Sequence, residues 1–432
     1  MKSRYATICM LIWCFPASVG AQATKHKMFS ITSDDGWLLT GMAQARPILT
    51  KSWSAAGDTP FDTEALYLAH TSAMLNLESP SRRFVLRFTP NFEGLTLSDG
   101  ELNIGSWGNG FIDSRHPHNL FHEAMVSFNT FDSSGGGFSL SAGKGFVPYG
   151  TDDPMGRPSV KYPTNHHLSQ VLERFTLNAV WSKGAWILEG GVFGGSHSQG
   201  PYDLSNIESF GDSWSTRVTR RFGKTAMGGW SWELSASHAR IHHGKSHKNA
   251  LYNGALRFDA PVENGQRIYG LMEYSRSTPA GNHEHGYWSF LTEAQWSTGP
   301  HTPYARFETS IRPEFSRGGG MEPSFFRYGH HAKLKGATGW SILSLGYGFT
   351  SGGNSVSITP FVEGQIFHVT SARGDVTPMN LFGAERFAAL TVGARLHFGG
   401  DPMRMGRYGI LDPVTSMTGM PVMSNMQMPE RR

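Results

Sequence analysis

The feature that most constrains this chain is a succession of stretches of about ten residues in which apolar and polar side chains alternate. The last of them, residues 390–398, places leucine, valine, alanine, leucine and phenylalanine on one parity and threonine, glycine, arginine and histidine on the other. Because successive side chains of a strand point to opposite faces, each stretch has one apolar and one polar face. Paired stretches of this kind predict a closed antiparallel barrel in a membrane.

Composition also favours strands over helices. The 432 residues include 52 glycines, and only 17% of the residues are charged. A glycine inside a helix costs about 1 kcal/mol, whereas short strands and tight turns accommodate it. Beyond the first 25 positions there is no apolar run of about 18 residues, which argues against membrane helices. We therefore predict an all-β chain that forms a transmembrane, antiparallel up-and-down barrel of about sixteen strands over residues 36–398.

The N-terminus has the pattern of an export signal. Two basic residues precede an apolar run over residues 6–15, and an Ala-Gln-Ala triplet at 21–23 fits the small-x-small rule for cleavage. We predict a signal peptide over residues 1–23, a short segment over residues 24–35, and localisation in the outer membrane of a Gram-negative cell. Both cysteines lie in the predicted signal, so the mature chain would have no thiol for a disulfide.

Alternation also fits a soluble β-sandwich, in which the apolar faces would form a core and the charged faces the surface. Tryptophans near the ends of the predicted strands favour the membrane, because aromatic belts mark the membrane interfaces of barrels. Burying so many indoles in a soluble core would require a partner for each N–H. These tryptophans are Trp37, Trp181, Trp186, Trp214, Trp230, Trp288 and Trp296.

The polar parity carries ionisable residues of both signs on successive strands. In a barrel these side chains would line a water-filled lumen, and mixed signs predict weak ion preference. The alternative is that they pair across neighbouring strands and have no selective role. The predicted pore-lining residues are Arg174, Glu189, Arg217, Arg221, Glu233, Arg257, Glu273, Glu293, Arg306, Glu308 and Arg395.

A histidine-rich stretch precedes one of the predicted strands. Residues 113–123 read Asp-Ser-Arg-His-Pro-His-Asn-Leu-Phe-His-Glu, and two further adjacent histidines follow in the next long loop. Imidazole binds copper, zinc or nickel, so loop histidines at one mouth of a barrel are candidate metal ligands. The alternative is a polar loop that tolerates histidine without binding a metal. The candidate ligands are His116, His118, His122, His166 and His167.

The Arg115-His116-Pro117-His118 motif, together with the segment Pro163–His167, resembles a family of uncharacterised outer-membrane barrels with an R-H-P-H-D-type motif. The resemblance covers roughly residues 105–240. It implies an outer-membrane barrel, and it implies a metal-resistance context because that family is often associated with resistance to copper or other heavy metals. This chain has Asn119 where the family usually has an acidic residue, so no carboxylate ligand is implied there.

A methionine-rich tail, residues 399–432, follows the last predicted strand. We predict that it is disordered and periplasmic. Thioether sulfur is a soft ligand that prefers Cu(I), so the spaced methionines are candidate copper ligands. Alternatively, the tail has no role in metal binding. The candidates are Met417, Met420, Met423 and Met426.

The predicted function is a porin-like channel for passive diffusion of small hydrophilic solutes or ions. Its partners would be the lipid bilayer and the outer-membrane insertion machinery, with no resident cofactor, and the strand count is compatible with a homotrimer. A net charge of +4 gives no support to nucleic-acid binding. The absence of G-x-S-x-G and H-E-x-x-H motifs predicts no enzymatic activity. Two alternatives remain: a barrel that binds copper or another divalent ion, and a closed structural barrel.

Overall fold

The computed structural model describes the chain in separate stretches. They are residues 29–54, 61–97, 101–104, 112–113, 120–133, 136–151, 157–164, 166–169, 174–195, 207–222, 229–243, 245–261, 266–279, 286–315, 334–352, 355–375, 377–399 and 405–411. The predicted signal peptide, His116, His118 and the four candidate tail methionines lie outside these residues.

Strands account for most of the described residues. The first half of the chain contains β1 (Phe29–Thr32), β2 (Leu38–Ser54), β3 (Asp62–Glu78), β4 (Phe84–Pro90), β5 (Glu101–Leu102), β6 (Ile112–Asp113), β7 (Phe121–Phe131), β8 (Gly137–Gly145), β9 (Arg174–Lys183) and β10 (Trp186–Phe193). The second half contains β11 (Ser213–Phe222), β12 (Gly229–His243), β13 (Lys245–Pro261), β14 (Arg267–Pro279), β15 (Tyr287–Ser297), β16 (His301–Phe315), β17 (Leu334–Phe349), β18 (Ser351–Gly352), β19 (Val356–Gly374) and β20 (Arg386–Phe398).

Sixteen of these strands form a closed barrel in which each strand is antiparallel to its neighbours. The wall runs in chain order from β2 to β20, and the pairing of β20 with β2 closes it. The short strands β1 and β18 add to the edges of β2 and β19, and β5 pairs with β6 in a separate two-stranded sheet. The predicted all-β, up-and-down barrel of about sixteen strands is confirmed.

The two faces of the wall differ in polarity, as the alternation predicts. On β12, Glu233 is 5% exposed, whereas the adjacent Leu234 is 57% exposed. On β10, Glu189 is buried and Leu188 is 43% exposed. The charged parity therefore faces the inside of the barrel and the apolar parity faces out. A soluble sandwich requires the reverse arrangement, so that alternative is wrong.

Tight turns connect the strands at one end of the barrel. Asp132 Oδ1 accepts a hydrogen bond from the Gly136 amide at 2.7 Å, and Ser79 Oγ accepts one from the Phe84 amide at 3.0 Å. Short polar side chains of this kind satisfy amides that strand pairing leaves unpaired at a turn. Strand β20 also ends at this end of the barrel, because successive strands alternate in direction.

The α-helices of the described residues are short and lie in the connections at the opposite end, and a 3-10 helix, Gly409–Leu411, lies in the tail. The α-helices are α1 (Glu93–Thr96), α2 (His166–Ser169) and α3 (Pro378–Phe382). Thr377 caps α3 by accepting a hydrogen bond from the Asn380 amide at 3.2 Å. Within the stretches given above, no helix has the length and apolar character needed to cross a bilayer.

Candidate functional site

The connection between β8 and β9 enters the barrel instead of extending away from it. We call its described residues, 146–151, 157–164 and α2, the inner segment. Val147 and Tyr149 pack with Phe193 of β10 and Leu251 of β13. Further along, Val160 packs with Ile48, Ala69 and Phe361, which belong to β2, β3 and β19. The inner segment therefore spans the lumen between distant parts of the wall.

Two wall glutamates hold the inner segment through Arg157. Arg157 donates a hydrogen bond from Nη2 to Glu273 at 3.2 Å, and its Nε lies 3.7 Å from Glu293. Glu273 also accepts a hydrogen bond from Thr151 Oγ1 at 2.7 Å. Glu293 is shared with the wall, because Arg306 donates to it at 2.8 Å. All these charged side chains are buried, and buried ions are tolerated only when they are paired in this way.

Two more wall glutamates accept hydrogen bonds from the inner segment. Glu363 of β19 accepts from Ser159 Oγ at 2.7 Å and from the Val160 amide at 3.0 Å. Glu308 of β16 accepts from the Thr164 amide at 2.6 Å. Backbone amides on an irregular segment need partners when they are buried, and these carboxylates supply them.

Lys161 is the second cation of the inner segment. Its Nζ lies 2.9 Å from Thr50 Oγ1 and 2.8 Å from the Tyr67 hydroxyl. Burial lowers the pKa of Lys161 to about 8, although nearby Glu101 and Glu363 act in the opposite direction. A lysine with a reduced pKa holds its proton less firmly when the segment is docked than when it is free.

This difference predicts a pH-dependent stability. As the pH rises from about 8 towards 10.5, docked Lys161 loses its proton before an undocked one does, so docking becomes more favourable over this range. Below pH 8 both forms are protonated and the dependence disappears. Thermal unfolding between pH 8 and pH 10 measures the effect. Lys161→Met should abolish this part of the dependence; an unchanged slope would contradict the assignment.

The connection between β4 and β7 also contributes to the lumen. Leu97, Leu102 and Ile104 are buried. Ile104 belongs to a cluster with Trp340 and Phe387 of the wall. The Lys161 ammonium donates to the Leu102 carbonyl, which joins this connection to the inner segment.

The predicted pore-lining residues lie on the inward parity. Nine of the eleven are buried. Arg221 is exposed near the turn end, and half-buried Arg395 donates to the Pro158 carbonyl of the inner segment. Glu189 lies directly opposite Arg217, and Glu293 directly opposite Arg306, on neighbouring strands. Their contacts match the predicted alternative of pairing across strands, and a role in ion preference stays a prediction.

The fully buried charges of the described residues are balanced. Among the described residues, the buried ionisable side chains include eleven glutamates, eleven arginines and lysines, and no aspartate. A lumen with no excess of either sign creates no strong potential for cations or anions. The balance favours weak ion preference and an interior held together by ion pairs.

The described metal candidates have different surroundings. His122 is buried on β7. The His166 ring lies 4.8 Å from the Tyr162 ring, which in turn stacks on His70 at 4.5 Å. His167 belongs to α2, and its side chain lies outside the described part of the molecule. In the described part of the chain, no three His, Cys, Asp or Glu side chains form a metal-binding group. Metal binding stays a prediction.

Several residues of the lumen were not among the predicted pore-lining set. Glu123 and Glu363 lie on the buried parity of their strands, so the alternation could have identified them. Arg157 and Lys161 lie in a connection without periodicity, and Arg407 lies in the tail. For these three, only the folded chain shows that the segment turns inward.

Comparison with known proteins supports no family assignment. No family model and no curated protein matches the sequence. Solved structures that resemble the fold include Salmonella typhi OmpF in complex with daunomycin (TM-score 0.49, 12% identity, covering 86% of this chain and 100% of that chain). Outer-membrane expressed OmpT of Vibrio cholerae has a TM-score of 0.48 and 9% identity, with 86% and 100% covered. An anion-selective porin from Comamonas acidovorans has a TM-score of 0.46 and 11% identity, with 84% and 100% covered. At these values the likeness carries no argument about activity.

Proposed function

We propose that this protein is a porin-like outer-membrane channel for small hydrophilic solutes or ions, in which the inner segment controls access. The observation that carries the proposal is the sidedness of the wall, apolar outside and ionisable inside. A closed barrel leaves no sheet edge unpaired, which is the condition for spanning a bilayer with strands. The charged interior then supplies the polar path for a solute.

Aromatic side chains at the turn end support a membrane position. The Trp186 and Trp232 rings lie 5.6 Å apart, and the Trp230 and Phe258 rings lie 4.9 Å apart. The Arg220 guanidinium lies 5.1 Å from the Trp186 ring centre. Tryptophan next to arginine suits the boundary between acyl chains and headgroups.

The opposite end of the wall has a similar boundary. Trp214 and Tyr252 are 50% and 53% exposed near the long connections. Arg240 and Lys248 are exposed opposite each other on β12 and β13, and Arg276 is exposed on β14. Between the two boundaries most outward residues are apolar, as the examples of Leu234 and Met272 show. This arrangement supports an apolar band that faces lipid.

Planar-bilayer recording of the mature chain tests the proposal. We expect discrete ohmic steps of low conductance, because the inner segment fills much of the lumen. The balanced charge predicts a reversal potential near zero in a KCl gradient. Bilayers that receive detergent alone are the control. If neither the mature chain nor the variant Glu293→Ala, which is expected to release the inner segment, conducts at any voltage, the protein is not a channel. That result would favour the closed structural barrel. The homotrimer, the metal alternative and the absence of enzymatic activity stay predictions.

A further inference from the structure

The described part of the tail lies inside the barrel. We call residues 405–411 the tail segment. Met405 and Tyr408 are each 3% exposed. The tail segment contacts the inward face of β8 and neighbouring strands, although β20 is far from these strands around the wall. The chain therefore re-enters the lumen from the turn end after the last strand.

The wall and the tail segment fit each other closely. The Tyr408 hydroxyl accepts a hydrogen bond from the Phe146 amide at 2.9 Å. A Cβ atom at Gly145 would lie 2.3 Å from that hydroxyl, so the glycine makes room for the tyrosine. Ser139 Oγ accepts from the Ile410 amide at 3.3 Å. Such matched contacts indicate a built position for the tail segment.

Arg407 is held by two wall carboxylates on different strands. Its Nη1 donates to Glu189 Oε2 at 2.9 Å, and its Nη2 donates to Glu233 Oε2 at 2.8 Å. Glu189 is also bound by Arg217, whose Nε and Nη2 each lie 2.6 Å from a carboxylate oxygen. We call Glu189, Glu233 and Arg217 the carboxylate cradle.

The cradle has the chemistry of a guanidinium site. A planar guanidinium offers N–H donors in a fixed fork, and here two of its nitrogens meet two separate carboxylates. An ammonium is a point charge and cannot reproduce this geometry.

We propose that the carboxylate cradle is a binding site for small guanidinium-bearing solutes, and that Arg407 is its resident occupant when the tail segment is docked. The proposal rests on the proposed channel and names a solute class for it. A solute guanidinium and Arg407 compete for the same two carboxylates. Binding of the solute therefore releases the tail segment and widens the path past the turn end.

The test uses methylguanidinium chloride as the probe and tetramethylammonium chloride as a cation that has no N–H donors. Calorimetric titration compares the unmodified chain, Arg407→Ala and the double variant Arg407→Ala/Glu233→Gln in detergent. We expect Arg407→Ala to bind methylguanidinium about tenfold more tightly than the unmodified chain or the double variant does. In Arg407→Ala the site is empty and both carboxylates remain, whereas the unmodified chain has the site occupied and the double variant has lost one carboxylate. Tetramethylammonium should bind none of them measurably.

Arg220→Ala is the matched control, because Arg220 is on the same barrel but faces outward. Its titration should equal that of the unmodified chain. The proposal would be overturned if Arg407→Ala bound methylguanidinium and tetramethylammonium equally well. It would also be overturned if Arg407→Ala and the double variant bound methylguanidinium equally well. If Arg407→Ala does not fold, Arg407→Lys replaces it. Methylguanidinium should displace the lysine more readily than the native arginine, and identical titrations of these two proteins would also overturn the proposal.

Recording in bilayers separates this proposal from the proposed function. We expect Arg407→Ala to conduct more than the unmodified chain. Methylguanidinium should enlarge the step of the unmodified chain and should not enlarge that of Arg407→Ala. Conducting barrels without a calorimetric signal would refute the site and leave the channel intact. A specific calorimetric signal from barrels that never conduct would support the site and refute the channel.

Discussion

Replacing Glu293 with alanine is expected to release the inner segment from the wall and to raise the unit conductance several-fold. Glu293 is the shared partner of Arg157 on the inner segment and Arg306 on the wall, and it also accepts from the Tyr269 hydroxyl at 2.7 Å. Removing one partner of a buried ion pair costs about 3–5 kcal/mol. Because Arg306 also donates to the Lys161 carbonyl, a shift of Arg306 would loosen the inner segment at a second point.

Glu314→Ala is the matched control for this experiment. Glu314 is also buried on the wall, and it pairs with Arg312 of its own strand at 3.2 Å. Its loss should lower stability without releasing the inner segment. Cleavage by trypsin after Lys161, which is followed by Tyr162, reports release independently of conductance. Equal conductance and equal cleavage in the two variants would show that Glu293 does not hold the inner segment.

Replacing Gly409 with alanine is expected to undock the tail segment. Gly409 has a φ of +65°, a conformation that costs other residues about 1–2 kcal/mol. A Cβ at this position would also lie 2.2 Å from Ser139 Oγ. Together these effects should shift the docking equilibrium by at least about tenfold. No cysteine occurs after position 14, so a single Leu411→Cys reporter, labelled with an impermeant maleimide, measures exposure of the segment.

Gly211→Ala controls for an alanine at a positive φ elsewhere in the barrel. Gly211 has a φ of +92°, but no atom lies within 4 Å of the position that its Cβ would occupy. With the Leu411→Cys reporter, this control should be labelled at the rate of the unmodified background. If Gly409→Ala is labelled no faster than the Gly211→Ala control, the close approach of Gly409 to Ser139 does not determine the position of the tail segment. Because Gly409→Ala leaves Glu189 and Glu233 unchanged, it undocks the segment without altering the carboxylate cradle.

The alternation in the sequence was sufficient to predict the wall. On β12 the parity that carries Glu233 is enclosed, and the parity that carries Leu234 faces out. A departure occurs on β3, where His70 has a φ of 51° and the register with β2 shifts nearby. Such a bulge places two successive residues on one face, and simple period-two counting does not reveal it.

The candidate site was only partly predictable. The period-two pattern of the strands alone predicts Glu273, Glu293 and Glu308 as inward residues. Their cationic partner Arg157 is not predictable in this way, because its connection has no periodicity that relates it to a face. Arg407 in the tail is not predictable either. The visible pattern of the tail is its methionine spacing, whereas the tail residue that forms ion pairs inside the lumen is Arg407.

Local rules therefore determined the strands, their direction and the polarity of each face, since a strand's side chains alternate whatever the rest of the chain does. Tertiary structure alone decided what fills the lumen. The inner segment and the tail segment are bound by carboxylates that come from strands remote in sequence, such as Glu363 for Ser159 and Glu189 for Arg407. These pairs exist only after the barrel has closed and both segments lie within hydrogen-bonding distance of its wall, so no pattern within either segment encodes them.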